Sequence, residues 1–212
     1  MFSVKVFIFS PIQENTYLLY NEGGDCIIID PGTYFPEEKN TLSAFIESHS
    51  LRPVILLNTH CHLDHVFGNK WIAANYGLTP RIHEKEKQVL EYAPVAGLMW
   101  NLPFENYEGP LEFIHAEETI RLGEDLLKIL FVPGHSPGHL CFYCEKQGFV
   151  IAGDTLFKGS IGRTDLPGGD HDLLINGIRS QLFTLPDSVI VYPGHGESTT
   201  IGMERKGNPF FS

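Results

Sequence analysis

The apolar positions of the first thirty residues gather into three short runs, 4–9, 16–20 and 26–30, with polar connections between them. This predicts a meander of three strands, the last closing on Pro31-Gly32. Pro36 suits the first turn of a helix over 36–48, where Glu37 and Glu38 stand near the positive end and Leu42, Phe45 and Ile46 share a face. The continuous apolar run 54–57 predicts a strand buried on both sides. Residues 69–76 read as a helix ended by Gly77, followed by a short strand over 81–83 and a second helix over 84–92. The stretch 93–110 has poor periodicity and several breakers; it places Met99, Trp100, Leu102 and Phe104 in a candidate lid or rim, with core packing as the alternative.

From Glu112 the strand pattern returns, over 113–115, 119–122, 126–132, 140–144 and 149–152. Asp170 or Asp172 can cap a helix that runs through Leu173, Leu174, Ile178 and Leu182 to 183, and 189–192 is a last strand. Strands interrupted by helices in each half predict an α/β protein of two sheets packed face to face with helices outside. No linker, low-complexity run or tandem repeat divides the 212 residues, so one domain over 1–212 is expected, long enough to bury a substantial core.

With 15 basic against 26 acidic residues the net charge is -11, and no basic stripe offsets it, so a nucleic acid partner is not expected. No segment approaches the about 20 consecutive apolar residues of a membrane-spanning helix. The apolar run 6–9 is broken by Ser10 and Pro11, which leaves neither part of a signal peptide and predicts a cytoplasmic protein. The four cysteines are too few and scattered for a disulfide framework. Cys141 and Cys144 form a CxxC inside a strand-like stretch, where residues three apart point to opposite faces, so two buried structural thiols are expected there.

The candidate chemistry begins where the apolar run 54–57 gives way to Thr59-His60-Cys61-His62-Leu63-Asp64-His65. His60 and His62 project to the same side of an extended backbone, and Asp64 and His65 can turn onto an adjacent position. Imidazole and carboxylate are ligands for zinc, iron and manganese, and this loop offers four such donors. The plain alternative is a histidine-rich surface loop. Three further donors stand just after predicted strands and next to glycine: His135 in Pro133-Gly134-His135, Asp154 in Gly153-Asp154-Thr155, and His195 in Pro193-Gly194-His195-Gly196. Glycine lets the backbone turn sharply at the ligand.

These motifs resemble the metallo-β-lactamase superfamily, whose signature is HxHxDH followed by a distal His, Asp and His. The resemblance runs from Asp30-Pro31-Gly32 to Pro193-Gly194-His195-Gly196. Gly153-Asp154-Thr155-Leu156-Phe157, Ile161-Gly162-Arg163-Thr164-Asp165 and the tail Glu204-Arg205 to Asn208-Pro209-Phe210 look most like the short glyoxalase II type hydrolases. The resemblance implies an αβ/βα four-layer sandwich of two mixed sheets. It also implies two divalent metal ions, zinc first with iron or manganese as alternatives. His60, His62 and His135 would hold one ion and Asp64, His65 and His195 the other, with Asp154 bridging. Asp64 and Asp154 are the candidate catalytic residues among these ligands.

Two such ions can share a hydroxide and polarise an acyl oxygen, and the glyoxalase II resemblance implies a thioester such as S-lactoylglutathione as the small-molecule substrate. No serine or cysteine nucleophile is then required, and Cys61 should point away from the ligands to pack. Arg163 stands where glyoxalase II enzymes carry a substrate-binding lysine; it is the candidate anion contact, with a structural pair to Asp165 or Asp170 as the alternative. Asp30 is a candidate to hold a ligand histidine by its second nitrogen, or simply a turn residue before Pro31. His139 is expected at a strand start outside the metal shell, and His49, His83, His115 and His171 on the surface or in packing. The sequence ends soon after His195, where the longer glyoxalase II enzymes carry a further helical domain that contributes to the glutathione pocket, so a pocket built without one is expected. The rival reading is a persulfide dioxygenase, which the Gly162-Arg163-Thr164-Asp165 segment also resembles and which would hold one iron through His60, His135 and Asp154; a hydrolase of another ester or a lactone is a third.

Overall fold

A computed structural model describes residues 1–211; Ser212, the last residue of the domain expected from the sequence, lies outside the described residues. The first sheet is built from β1 (Ser3–Phe9), β2 (Glu14–Tyr20), β3 (Asp25–Ile29), β4 (Arg52–Leu57), β5 (Pro80–Ile82) and β6 (Glu112–Phe113), hydrogen-bonded in that order. β1, β2 and β3 form the antiparallel meander, and β3 to β6 run parallel. The second sheet contains β7 (Thr119–Leu122), β8 (Asp125–Phe131), β9 (Leu140–Cys144), β10 (Phe149–Gly153), β13 (Ile190–Pro193) and β14 (Thr199–Thr200), in the order β14-β13-β10-β9-β8-β7. Between β10 and β13 the chain makes a small hairpin of β11 (Leu156–Phe157) and β12 (Ser160–Ile161).

The helices are α1 (Pro36–Ser48), α2 (Leu63–Val66), α3 (Asn69–Tyr76), α4 (Lys87–Met99), α5 (His171–Gly177) and α6 (Ile201–Gly207). Pro36 opens α1 as the sequence predicts, and the Glu38 carboxylate accepts from the amides of Tyr34 and Phe35 just before it. Gly77 ends α3 in the left-handed conformation at φ 67. Asp170, rather than Asp172, caps α5 by accepting from Leu173 N at 2.9 Å.

Four layers follow from which face of each strand is apolar. Tyr17, Leu19, Ile27, Ile29 and Leu57 of the first sheet meet Leu127, Ile129, Leu140, Phe142 and Ile151 of the second. The opposite face of the first sheet, Leu18, Ile28 and Leu56, packs on Leu42 and Ile46 of α1 and Ile72 of α3. Val150 and Val191 of the second sheet pack on Leu174 of α5 and Ile201 of α6. The fold is therefore the αβ/βα sandwich expected. Cys141 and Cys144 fall into different cores, as alternation along β9 requires.

The structure departs from the sequence expectation at 93–110. The helix predicted over 84–92 starts as a turn at Glu84–Glu86 and continues as α4 through Pro94 to Met99. Proline has no N–H for the carbonyl four residues back, which is that of Leu90. The Asn106 amide donates to that carbonyl at 2.7 Å, so a loop residue repairs what the proline removes. The predicted helix after Asp170 also changes character, widening at Ile178–Leu182 into a π-turn. No helix of the described residues is long and apolar enough to cross a membrane.

Candidate metal centre

The seven expected donors hang from loops at one end of both sheets. β4 ends at Leu57 and leads to His60 and His62; Asp64 and His65 sit in the first turn of α2. His135 follows β8, Asp154 follows β10 and His195 follows β13, and β10 and β13 are parallel neighbours, so the last two donors emerge side by side. Gly194 makes that closeness possible: a Cβ there would strike Asp154 Oδ1 and the ring of His65.

Two sets of three donors result, each with its ligand atoms within 4.8 Å of one another: His60, His62 and His135, and Asp64, His65 and His195. In the first, His135 Nε2 lies 2.9 Å from His62 Nδ1 and 3.2 Å from His60 Nε2. In the second, Asp64 Oδ2 lies 3.1 Å from His195 Nε2 and 3.7 Å from His65 Nε2. Asp154 stands between them, with Oδ1 3.5 Å from His65 Nε2 and Oδ2 3.5 Å from His135 Nε2 and 3.6 Å from His195 Nε2. A third grouping, Asp30 with His60 and His65, is spoken for. Asp30 accepts from Thr59 N at 2.7 Å, Thr59 Oγ1 at 2.6 Å and His65 Nδ1 at 3.0 Å, so it supports His65 from behind.

The two sets differ electrically. Burial, reinforced by neighbouring imidazoles, holds His60 well below the usual histidine range and His62 down to about 3; burial also lowers His135. These are neutral rings. Burial also works against a charged His65, yet Asp64, Asp154 and Asp30 together raise it well above its ordinary value. His195 is raised against burial by its hydrogen bond to Asp64 and by Asp154. Asp64 and Asp154 are correspondingly held below the carboxylate range, against burial, chiefly by His65.

Several supporting residues carry no sequence signal of their own. Glu86 is fully buried and accepts from Cys61 N at 2.8 Å, Ser136 Oγ at 2.5 Å and Gly138 N at 2.6 Å, which ties the two histidine loops together. Burial pushes its carboxyl up, against those hydrogen bonds. Asn15 donates to the carbonyls of Pro193 and Gly196 on either side of His195, at 3.0 and 2.9 Å. It falls just before the predicted strand over 16–20, in the observed start of β2, so no strand rule flagged it. His139 lies outside both sets, accepting from Asp154 N at 3.0 Å and stacking on His60 at 4.8 Å. Cys61 is buried among Leu63, Val66, Leu90 and Ala93.

A cleft of about 640 Å³ opens over the centre, floored by His62, Asp64, His135, Asp154 and His195. The end of α4 with Met99 and Trp100 forms its rim. Arg163 also lines it, but Nε and Nη2 are engaged by Asp165 at 2.7 and 2.8 Å, and the guanidinium stands 6.0 Å from the Trp100 ring. The carbonyl of Arg163 accepts from His135 Nδ1 at 2.7 Å, a role its side chain would not suggest. His83 stacks on Phe131 and His49 on Phe45, both in packing, while His115 and His171 are exposed.

The metallo-beta-lactamase superfamily profile matches residues 10–195. The chain is 35% identical over 203 residues to the probable metallo-hydrolase YqgX of Bacillus subtilis, spanning 95% of this chain and 94% of that one. It is also 35% identical to the hydroxyacylglutathione hydrolase GloC of Haemophilus influenzae over 212 residues, 99% of this chain and 98% of its relative. Among solved structures, the B3 metallo-beta-lactamase BLEG-1 superposes with a TM-score of 0.91 at 34% identity, covering 99% of this chain and 100% of that one. TTHA1623, solved in a di-iron-bound form, superposes with a TM-score of 0.88 at 36% identity over 97% and 99%. With the fold, the donor loops and these likenesses in agreement, the chain belongs to the metallo-beta-lactamase superfamily.

Proposed function

We propose that this chain is a dinuclear metal-dependent hydrolase, one domain over 1–212, that cleaves a thioester such as S-lactoylglutathione in the cytoplasm. The observation that carries the reading is that two complete donor sets share the single carboxylate of Asp154. The residues fit ions well: His65 Nε2 and Asp154 Oδ1 are buried without a hydrogen-bond partner among the described residues, and both point into the cluster. His60, His62 and His135 would hold one ion, Asp64, His65 and His195 the other, with Asp154 between; zinc is the first choice, and iron or manganese suit the same donors. Bound ions would supply a hydroxide nucleophile near neutral pH and positive charge for the acyl oxygen.

The chain's own part is orientation. His65 Nδ1 donates to Asp30, His135 Nδ1 to the Arg163 carbonyl and His195 Nδ1 to the Gln13 carbonyl, which leaves each Nε2 facing the centre. His62 instead presents Nδ1. Asp64 and Asp154 are the catalytic carboxylates of this reading, and Arg163 the contact for an anionic group of the substrate, through the guanidinium edge that Asp165 leaves free. The four cysteines, all free and buried, fit a reducing compartment.

The persulfide dioxygenase reading uses His60, His135 and Asp154 alone and gives no work to the assembled Asp64, His65 and His195. Metal analysis joined to thioester hydrolysis and oxygen-uptake assays separates the two. About two ions per chain with thioester turnover is the expected result. One iron per chain with oxygen consumption on glutathione persulfide would overturn it.

A further inference from the structure

One wall of the cleft is a single helical stripe. Val89, Ala93, Ala96 and Trp100 recur at the spacing that puts residues on one face of α4 and its end, and all four line the cavity. Leu90 and Gly97, on the neighbouring side of the helix, are buried, and Ala93 sits at the border, buried with them while lining the cavity. Phe157 and Leu166 add further carbon to the lining. The stripe offers carbon and no side-chain donor or acceptor beyond the indole nitrogen, and its two alanines leave room where larger residues would fill the space. The polar lining groups outside the donor cluster are Lys85 and Gln88, which precede the stripe, Tyr92 beside it, whose hydroxyl donates to Met99 Sδ at 3.4 Å, and Arg163, which stacks at the Trp100 end.

We propose that Val89, Ala93 and Ala96 form an acyl subsite, and that the preferred substrates carry a straight apolar acyl chain of several carbons. The inference rests on the hydrolase reading and sharpens its substrate class. Each methylene of an acyl chain laid along Val89, Ala93 and Ala96 would leave water for carbon. The division of the cleft follows: the acyl chain lies along the stripe, and an anionic leaving thiol, where present, reaches the Arg163 end.

The test uses the metal-loaded protein and S-acyl thioesters of N-acetylcysteamine, whose neutral thiol removes any contribution from anion binding. From acetyl to hexanoyl, kcat/KM should rise about threefold per methylene, just short of the about fourfold that full burial of a methylene would give. Ala96→Trp should cut the hexanoyl-to-acetyl ratio at least about tenfold. Val89→Thr, a gentler change, should lower the same ratio. Binding of the non-hydrolysable S-alkyl thioethers, followed by tryptophan fluorescence with Trp100 in the wall, should tighten along the same series. Hydrolysis with flat chain-length profiles in both assays overturns the subsite and leaves the hydrolase standing. Graded thioether affinity without hydrolysis of any thioester supports the subsite and overturns the hydrolase. Neither grading nor hydrolysis overturns both.

Discussion

The Cys61 amide donates to Glu86 Oε2 at 2.8 Å, while the other oxygen of the same buried carboxylate takes Ser136 and Gly138. One side chain thus fixes the loop of His60 and His62 relative to the loop of His135. Removing it in Glu86→Ala strands three donors, at about 1–3 kcal/mol each, so a stability loss of about 3 kcal/mol or more is expected in denaturant unfolding. Metal content should fall with it. Glu86→Gln keeps one accepting oxygen and should fall between. Wild-type stability in Glu86→Ala would contradict this role.

Asp30 accepts from His65 Nδ1 and from both donors of Thr59. In Asp30→Asn the side-chain amide must face one of those donors, and His65 loses the partner that orients it. Metal affinity, measured by competition with a chelator, is expected to drop about 10- to 100-fold. Unaltered affinity would reduce Asp30 to a turn residue.

The two donor sets should part on acidification. Burial keeps His60, His62 and His135 neutral, so an ion among them competes with few protons. The carboxylates raise His65 and His195 against burial, so each binds its proton below that raised value and releases it as pH climbs through it. Proton competition at Asp64, His65 and His195 therefore grows as pH falls. Dialysis from about pH 8 to about pH 5.5 should lower metal from about two ions per chain to about one before the second leaves. Simultaneous loss of both would contradict the assignment.

Arg163→Ala should raise KM about tenfold for a glutathione thioester and much less for the uncharged N-acetylcysteamine analogue. Asp165→Asn frees the whole guanidinium fork and should lower KM for the glutathione compound. An unchanged KM in Arg163→Ala removes that side chain from substrate binding and leaves only its carbonyl, on His135, with a part in the site.

The donors were legible because their chemistry is local: imidazoles two residues apart after an apolar run, and glycine-flanked bends after three later strands. The sandwich was legible because the longer strands carry their faces in the sequence: β8 alternates, and β9 and β10 are buried throughout. Glu86 was not, since its neighbours Glu84 and Lys85 are exposed and only packing from Cys61 and Ser136 makes it a buried anchor. The extension of α4 past Pro94 depends on Asn106, twelve residues further on, and no helix rule contains that partner. β11, β12 and β14 have two residues each, too few to show alternation. They are held from outside: buried Glu204 accepts from Gly159 N in the hairpin and from Thr199 Oγ1 in β14.

Each donor set draws two residues from the first sheet's loop and one from the second sheet's, and backbone bonds Leu140 N to Thr59 O and Asn15 N to Gly194 O join the layers at the same end. Neither sheet can chelate alone. A slide of one layer past the other by a single residue, about 3.3 Å along a strand, would dismantle both sets together. Ions held there would act as a brake on shear between the layers. Chelation should then speed hydrogen exchange in β4 and β13 alike, although the two strands belong to different sheets.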